Sequence, residues 1–250
     1  MRAGIPPRSA RLPWAKEKSS EGVALSSLRP QTSSSSPAGS ADLVVELWLD
    51  IGCPWCYLGL HRLERAIEAA GGGVELILRS FELNPGMPAA VPVPEYLAEK
   101  FAGTVERALA ADGEVAKLAR ADGLPYTSDR TIADSFDVHR VLHLARTHGA
   151  GTGMFRELQR GYFGGELDPF DPETLVRVAA GAGVPAAETR SVLAGDGYAG
   201  SVREELATAR ALGITGVPFT VLGGVYAVSG AQSVAVYTEA IRTARAHQPA

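Results

Sequence analysis

The chain has little cysteine, no long apolar run and no excess of positive charge. Only two of its 250 residues are cysteine, which excludes a disulfide-dense secreted scaffold. No stretch approaches the ~18 apolar residues of a membrane-spanning helix, so no membrane partner is expected. Lys and Arg number 24 against 28 Asp and Glu, a formal net charge of -4. That leaves no overall basic field for nucleic acid, which is not an expected partner. No 20–50-residue repeat is present, which argues against a solenoid. Hydrophobic residues, by contrast, make up 46% of the sequence, enough for a sizeable core.

The charge is unevenly spread. Residues 1–40 hold ten Ser and five Pro, with six Lys/Arg against two Asp/Glu. This stretch is therefore +4 and the remaining 210 residues are -8. Its longest apolar stretch, Val23-Ala24-Leu25, is far short of the roughly 7–15 apolar residues of a secretory signal. The composition predicts a disordered Ser/Pro-rich tail over 1–40 and a cytoplasmic location.

Beyond the tail, Leu43–Leu49 (LVVELWL) reads as a buried strand. A helix then begins at Cys53-Pro54-Trp55-Cys56, with Pro54 at the first helical position. Leu60, Leu63, Ile67 and Ala70 give it an apolar stripe. Gly71-Gly72-Gly73 ends it, 74–78 is a second strand, and 81–88 is a loop. Strand, helix, strand implies a parallel pair. From about 94 to 210 only helical patterns occur, at 96–110, 114–121, 134–147, 154–163, 172–182 and near 201–212. Strands return at Phe219–Leu222 and 225–228 around a Gly223-Gly224 turn. Ser233 caps a last helix over 234–245. The order predicts an α/β thioredoxin fold with an inserted all-helical domain. The thioredoxin-like part spans 41–93 and 205–250, and the insert spans 94–204.

A Cys-x-x-Cys pair at a strand-to-helix junction has a chemical use. The first turn of a helix carries unpaired N–H groups and the positive end of the macrodipole. A thiolate at Cys53, expected to face solvent, is stabilised there and acts as the nucleophile. Cys56, deeper in the helix, stays protonated until it resolves the mixed disulfide. Zinc needs four ligands, and there is no second cysteine pair. The five histidines (His61, His139, His143, His148 and His247) do not pair at finger spacing. His139 and His143, four apart on one helix face, are read as surface or packing residues, and no metal is expected. His61 is read as a solvated helix residue.

Two further features belong with the dithiol. In Gly216-Val217-Pro218-Phe219 a proline precedes a strand, which fits the cis-proline of thioredoxin-like folds. The Val217 backbone would be free to pair with an extended substrate segment. Pro54, Trp55, Val217 and Pro218 are the expected substrate-binding residues. Asp50, three residues before Cys53, is a candidate proton relay for the buried thiol, or an acid that satisfies local N–H groups.

Together these motifs resemble the DsbA-like thioredoxin oxidoreductases, and within them the FrnE-type subgroup. The resemblance rests on Asp50 with Cys53-Pro54-Trp55-Cys56-Tyr57, on Phe81-Glu82-Leu83-Asn84-Pro85, and on Ser135-Phe136-Asp137-Val138-His139-Arg140. Residues 213–219 and Ser229-Gly230-Ala231-Gln232 add to it, and it covers roughly 42–245. It implies thiol–disulfide exchange through Cys53 and Cys56 on a disulfide-containing protein or small-thiol substrate. No resident cofactor is implied, with glutathione open as a reductant. In DsbA itself Pro and His separate the cysteines; Trp55 here implies a less oxidising couple. A related branch, the kappa-class glutathione transferases and 2-hydroxychromene-2-carboxylate isomerases, shares the fold but uses serine where this chain has Cys53. Glutathione-dependent isomerisation or transfer is the alternative function, and the paired cysteines argue against it.

Overall fold

The structure, a computed structural model, describes residues 10–11, 41–101 and 103–247. Its elements are β1 (Ala10–Arg11), β2 (Leu43–Leu49), α1 (Pro54–Ala69), β3 (Val74–Ser80), β4 (Val91–Pro92), α2 (Val93–Lys100), α3 (Val105–Ala121), β5 (Thr131–Ile132), α4 (Phe136–Thr147), α5 (Gly151–Gly164), α6 (Pro172–Gly181), α7 (Ala186–Ala194), α8 (Ala199–Ala211), β6 (Phe219–Leu222), β7 (Tyr226–Ser229) and α9 (Val234–Ala246). The sheet order is β1-β7-β6-β2-β3.

Strand β2 lies inside the sheet because its side chains are apolar on the face that must be covered. Leu43, Val45, Leu47 and Leu49 alternate onto one face and are buried. It pairs in parallel with β3 from Leu43 opposite Val74 to Leu49 opposite Ser80. On its other side it pairs antiparallel with β6, Trp48 opposite Phe219, and β7 is antiparallel to β6. At the β6–β7 hairpin, Gly223 and Gly224 have φ of 58° and 69°, the positive-φ pair of a tight turn. The ladder closes at Tyr226 opposite Leu222, one residue later than the pattern suggests.

Helix α1 lays Leu60, Leu63 and Ala66 against the sheet and packs beside Tyr237 and Ile241 of α9. Each fully buried leucine of this kind contributes about 1.5–3 kcal/mol. The same apolar cluster continues through Val138, Val141, Phe155 and Leu158. The helical block therefore shares its core with the sheet.

Several expectations are corrected. The helix over 96–110 is two helices, because the chain breaks after α2 and Thr104 caps α3, accepting from the Arg107 N–H at 3.4 Å. Helix α7 lies between the helices expected over 172–182 and near 201–212, where the sequence reading places no element; it buries little more than Thr189 and Val192, too little for an apolar stripe. Strands β4 and β5 form a two-stranded ribbon beside helices, too short to leave a periodic pattern. The boundary expected at 205 falls inside α8. The tail expectation falls mostly outside the described residues. Its two described members, Ala10–Arg11, pair antiparallel with β7 instead of standing apart from the fold. An edge strand offers free backbone groups to such a segment.

One buried carboxylate joins α8, β3 and α4. Glu205 Oε2 accepts from the backbone N–H and the hydroxyl of Ser80, both at 2.7 Å. Its Oε1 accepts from Arg79 at 2.9 Å and Arg146 at 2.8 Å, and His143 Nε2 lies 3.1 Å from Oε2. Burial opposes the charge, but His143, Arg146 and Arg79 outweigh it and hold the carboxyl well below the usual carboxylate range. A depressed folded pKa contributes stability above the unfolded value of about 4.3, and that stability is lost as pH falls below it. Glu205→Ala should cost about 3–5 kcal/mol in urea unfolding, since it leaves the facing cations uncompensated. Glu205→Gln should flatten the fall in Tm between about pH 6 and 3. An acid limb as steep as that of the unaltered protein would refute this assignment.

Candidate active site

The dithiol is placed by the exit of β2. Asp50 follows the strand and is 3% exposed. Its Oδ1 accepts from the Gly52 N–H at 2.8 Å, and its Oδ2 accepts from the Leu83 N–H at 2.7 Å and the Ser135 hydroxyl at 3.1 Å. The Asp50 carbonyl accepts from the Cys53 N–H at 3.2 Å. A Cβ on Gly52 would come within 2.9 Å of the Ile132 side chain, so β5 presses directly on this turn. Of the two roles weighed for Asp50, the bonding of N–H groups is plain, and one of those groups is distant in sequence.

Cys53 is the N-cap of α1 and Pro54 its first residue. The Cys56 and Tyr57 N–H groups donate to the Cys53 carbonyl at 3.0 and 3.2 Å. Cys53 does not face solvent as expected: it is 4% exposed. The loop before β6 covers it, and its Sγ lies 3.6 Å from the Val217 carbonyl oxygen. That carbonyl is thus engaged by the thiol rather than free. The Val217–Pro218 peptide is cis. Pro218 is buried, Pro54 and Val217 are half-buried, and Trp55 is exposed at the rim. Both cysteines are free thiols.

The loop sits this close because residue 59 is glycine. A Cβ there would come within 2.8 Å of the Pro218 ring and 3.6 Å of the Tyr237 hydroxyl. The Pro218 carbonyl accepts from the Gly230 N–H, and the Gly230 carbonyl from the Tyr237 hydroxyl, both at 2.9 Å. Gly59 and Tyr237 had no role in the sequence reading, and Leu83 and Ser135 entered it only within the motifs that carry the resemblance. Gly59 did carry a signal: a glycine inside a helix costs about 1 kcal/mol relative to alanine.

Two of the histidines have partners other than the cysteines. His139 Nε2 is 2.9 Å from the Phe81 carbonyl, and His143 is engaged by Glu205. His61 is half-buried rather than solvated, and its Nε2 is buried without a partner. Among the described residues no group of three His, Cys, Asp or Glu is placed to hold a metal ion. Beyond the Asp50 turn lies a cleft of about 460 Å³ lined by Glu82, Asp134, Phe136 and Arg203. Burial, with Asp134 and Asp50 nearby, pushes the Glu82 carboxyl up to about 7.

The two thiols differ chemically. Burial, first, and then the hydrogen bond and charge of Cys53 push the Cys56 thiol well above its ordinary range. The Asp50 charge acts in the same direction, and a backbone hydrogen bond at Asp50 opposes it. Cys56 is therefore a protonated thiol at neutral pH. Iodoacetamide at about pH 8 should alkylate Cys53 well before Cys56, with both modified only in urea. Peptide mass spectrometry reads this directly, and equal modification of the folded protein would contradict it.

The family model described as a DSBA-like thioredoxin domain matches residues 44–242. No curated protein matches the chain. Among solved structures, a probable DsbA oxidoreductase from Streptomyces coelicolor is 42% identical with a TM-score of 0.78, over 83% of this chain and 92% of that one. The cytosolic disulfide reductase DsbM from Pseudomonas aeruginosa, solved with GSH, shares the fold at 21% identity and a TM-score of 0.54, over 81% and 96%. A 2-hydroxychromene-2-carboxylate isomerase shares it at 14% identity and a TM-score of 0.60, over 80% and 95%. With its matched span covering β2 through most of α9, the chain belongs to the DsbA-like thioredoxin-domain family.

Proposed function

We propose that the chain is a thiol–disulfide oxidoreductase working through Cys53 and Cys56, in the manner of the FrnE-type subgroup. One observation carries this reading. The first thiol of a CxxC pair caps a helix and lies 3.6 Å from the carbonyl before cis-Pro218, with the second thiol fully buried behind it.

The Cys53 thiolate attacks one sulfur of a substrate disulfide. That S–S bond breaks, a Cys53–substrate mixed disulfide forms, and the departing sulfur leaves as a thiolate and takes a proton from water. Cys56 then gives up its proton and attacks Cys53 Sγ, releasing the second substrate sulfur as a thiolate that is protonated in turn. The substrate gains two electrons and two protons, and Cys53 and Cys56 become a disulfide. A dithiol, or two molecules of glutathione, returns the electrons. Glutathione fits this role, since DsbM, of the same fold, is described with GSH. Asp50, whose charge bears on Cys56, is the proposed acceptor of its proton.

The substrate is a disulfide-containing protein or a small thiol compound. Exposed Trp55 and half-buried Pro54 give an extended segment an apolar rim to lie on, beside Val217 and Pro218. In a glutathione-reduced compartment the resting pair is a dithiol, which favours reduction or isomerisation over net oxidation.

Insulin reduction with dithiothreitol tests this. The unaltered protein should accelerate precipitation of the insulin B chain, and Cys53→Ser should fall to background. Equal rates would reject the proposal. Cys56→Ala should stall the mixed disulfide and accumulate adducts that dithiothreitol releases. Glutathione conjugation that survives Cys56→Ala would point instead to the transferase chemistry of the kappa-class branch.

A further inference from the structure

A second cavity, of about 180 Å³, lies between α1, α5 and the turn that ends α3. Tyr57, His61 and Glu64 line it from α1, and Arg156, Gln159 and Arg160 from α5. Three of these residues carry buried polar atoms without a hydrogen-bond partner: Tyr57 Oη, His61 Nε2 and Gln159 Nε2. Eight side-chain atoms of this kind occur among the described residues, and three of them belong to residues that line this one cavity. Native interiors leave few polar groups unpaired, because such a group loses water and gains nothing in exchange. Tyr57 and Gln159 are only 3% and 1% exposed.

The unpaired groups are mostly donors. The Gln159 amide nitrogen donates only. Burial pushes the Tyr57 hydroxyl up to about 12, so it keeps its proton at neutral pH and can donate. The Tyr57 ring is held by stacking on Phe163, with centroids 4.7 Å apart. Glu64, the one carboxylate of the lining, is occupied by Arg156 at 3.0 Å. Arg160, one turn along α5, forms no ion pair among the described residues. Two buried donors and the Arg160 guanidinium thus belong to residues lining a space whose one carboxylate is already paired with Arg156. A carboxylate or phosphate group supplies the missing lone pairs, and a guanidinium fork matches either one.

We propose that this cavity is a second binding site, separate from the dithiol, for a small molecule bearing one oxyanion group, a carboxylate or a phosphate. The assignment does not depend on the reaction proposed for Cys53 and Cys56.

Thermal-shift and calorimetric titration of the full chain tests it, with potassium phosphate and potassium succinate as probes and potassium chloride at matched ionic strength as the reference. At least one probe should raise Tm saturably above the chloride reference at up to about 10 mM. Which of the two does so identifies the oxyanion. Tyr57→Phe, which removes only the hydroxyl, should weaken that binding about tenfold. Arg160→Gln, a surface change that leaves the fold intact, should do the same. Cys53→Ser should bind like the unaltered protein. No response to either probe beyond chloride would overturn the proposal and leave a water-filled cavity. Binding undiminished in both Tyr57→Phe and Arg160→Gln, or abolished by Cys53→Ser, would also overturn it, because the anion would then sit elsewhere.

Discussion

A single buried carboxylate sets the geometry on which the dithiol depends. Asp50 accepts hydrogen bonds from its own turn, from the loop after β3 and from the residue that begins α4. A charge in that position is tolerated because donors surround it. The same bonds fix where β2 ends, and so where α1 starts and where Cys53 sits. They also tie the helical block to the sheet beside the two cysteines. Glu205 repeats the device further along the same seam, joining β3 to α4 and α8. A continuous apolar cluster packs the sheet against the helical block that these two carboxylates tie to it.

The other half of the site is steric. Gly59 removes one side chain from α1, and the cis-proline loop descends into the room that is left. That descent brings the Val217 carbonyl to Cys53 and shields the thiol from water. Placement of the Cys53 thiol thus depends on an absence as much as on a contact.

The parts legible in the sequence were those written locally. The short apolar run LVVELWL marked β2, and a proline between two cysteines after a strand marked the start of α1. The proline before Phe219 was visible for the same reason. What was not legible depends on distance. Asp50 meets Leu83 and Ser135 across 33 and 85 residues, and no periodicity encodes such a meeting. The cover over Cys53 comes from a loop 164 residues away. Helix α7 escaped because it buries only two side chains and presents no stripe. The cavity beside Tyr57 escaped because its residues, read along the chain, are an ordinary amphipathic face.

The burial of Cys56 also has a consequence in time. In the proposed reaction a mixed disulfide on Cys53 would last until the second thiol ionises, and a thiol held well above its ordinary range ionises seldom at neutral pH. The dwell time of the bound partner is thereby lengthened. During that interval another thiol of the same partner can attack its own sulfur and leave with a new pairing. On that mechanism slow release would be an opportunity for rearrangement by the substrate, and the depth of one side chain would set the clock.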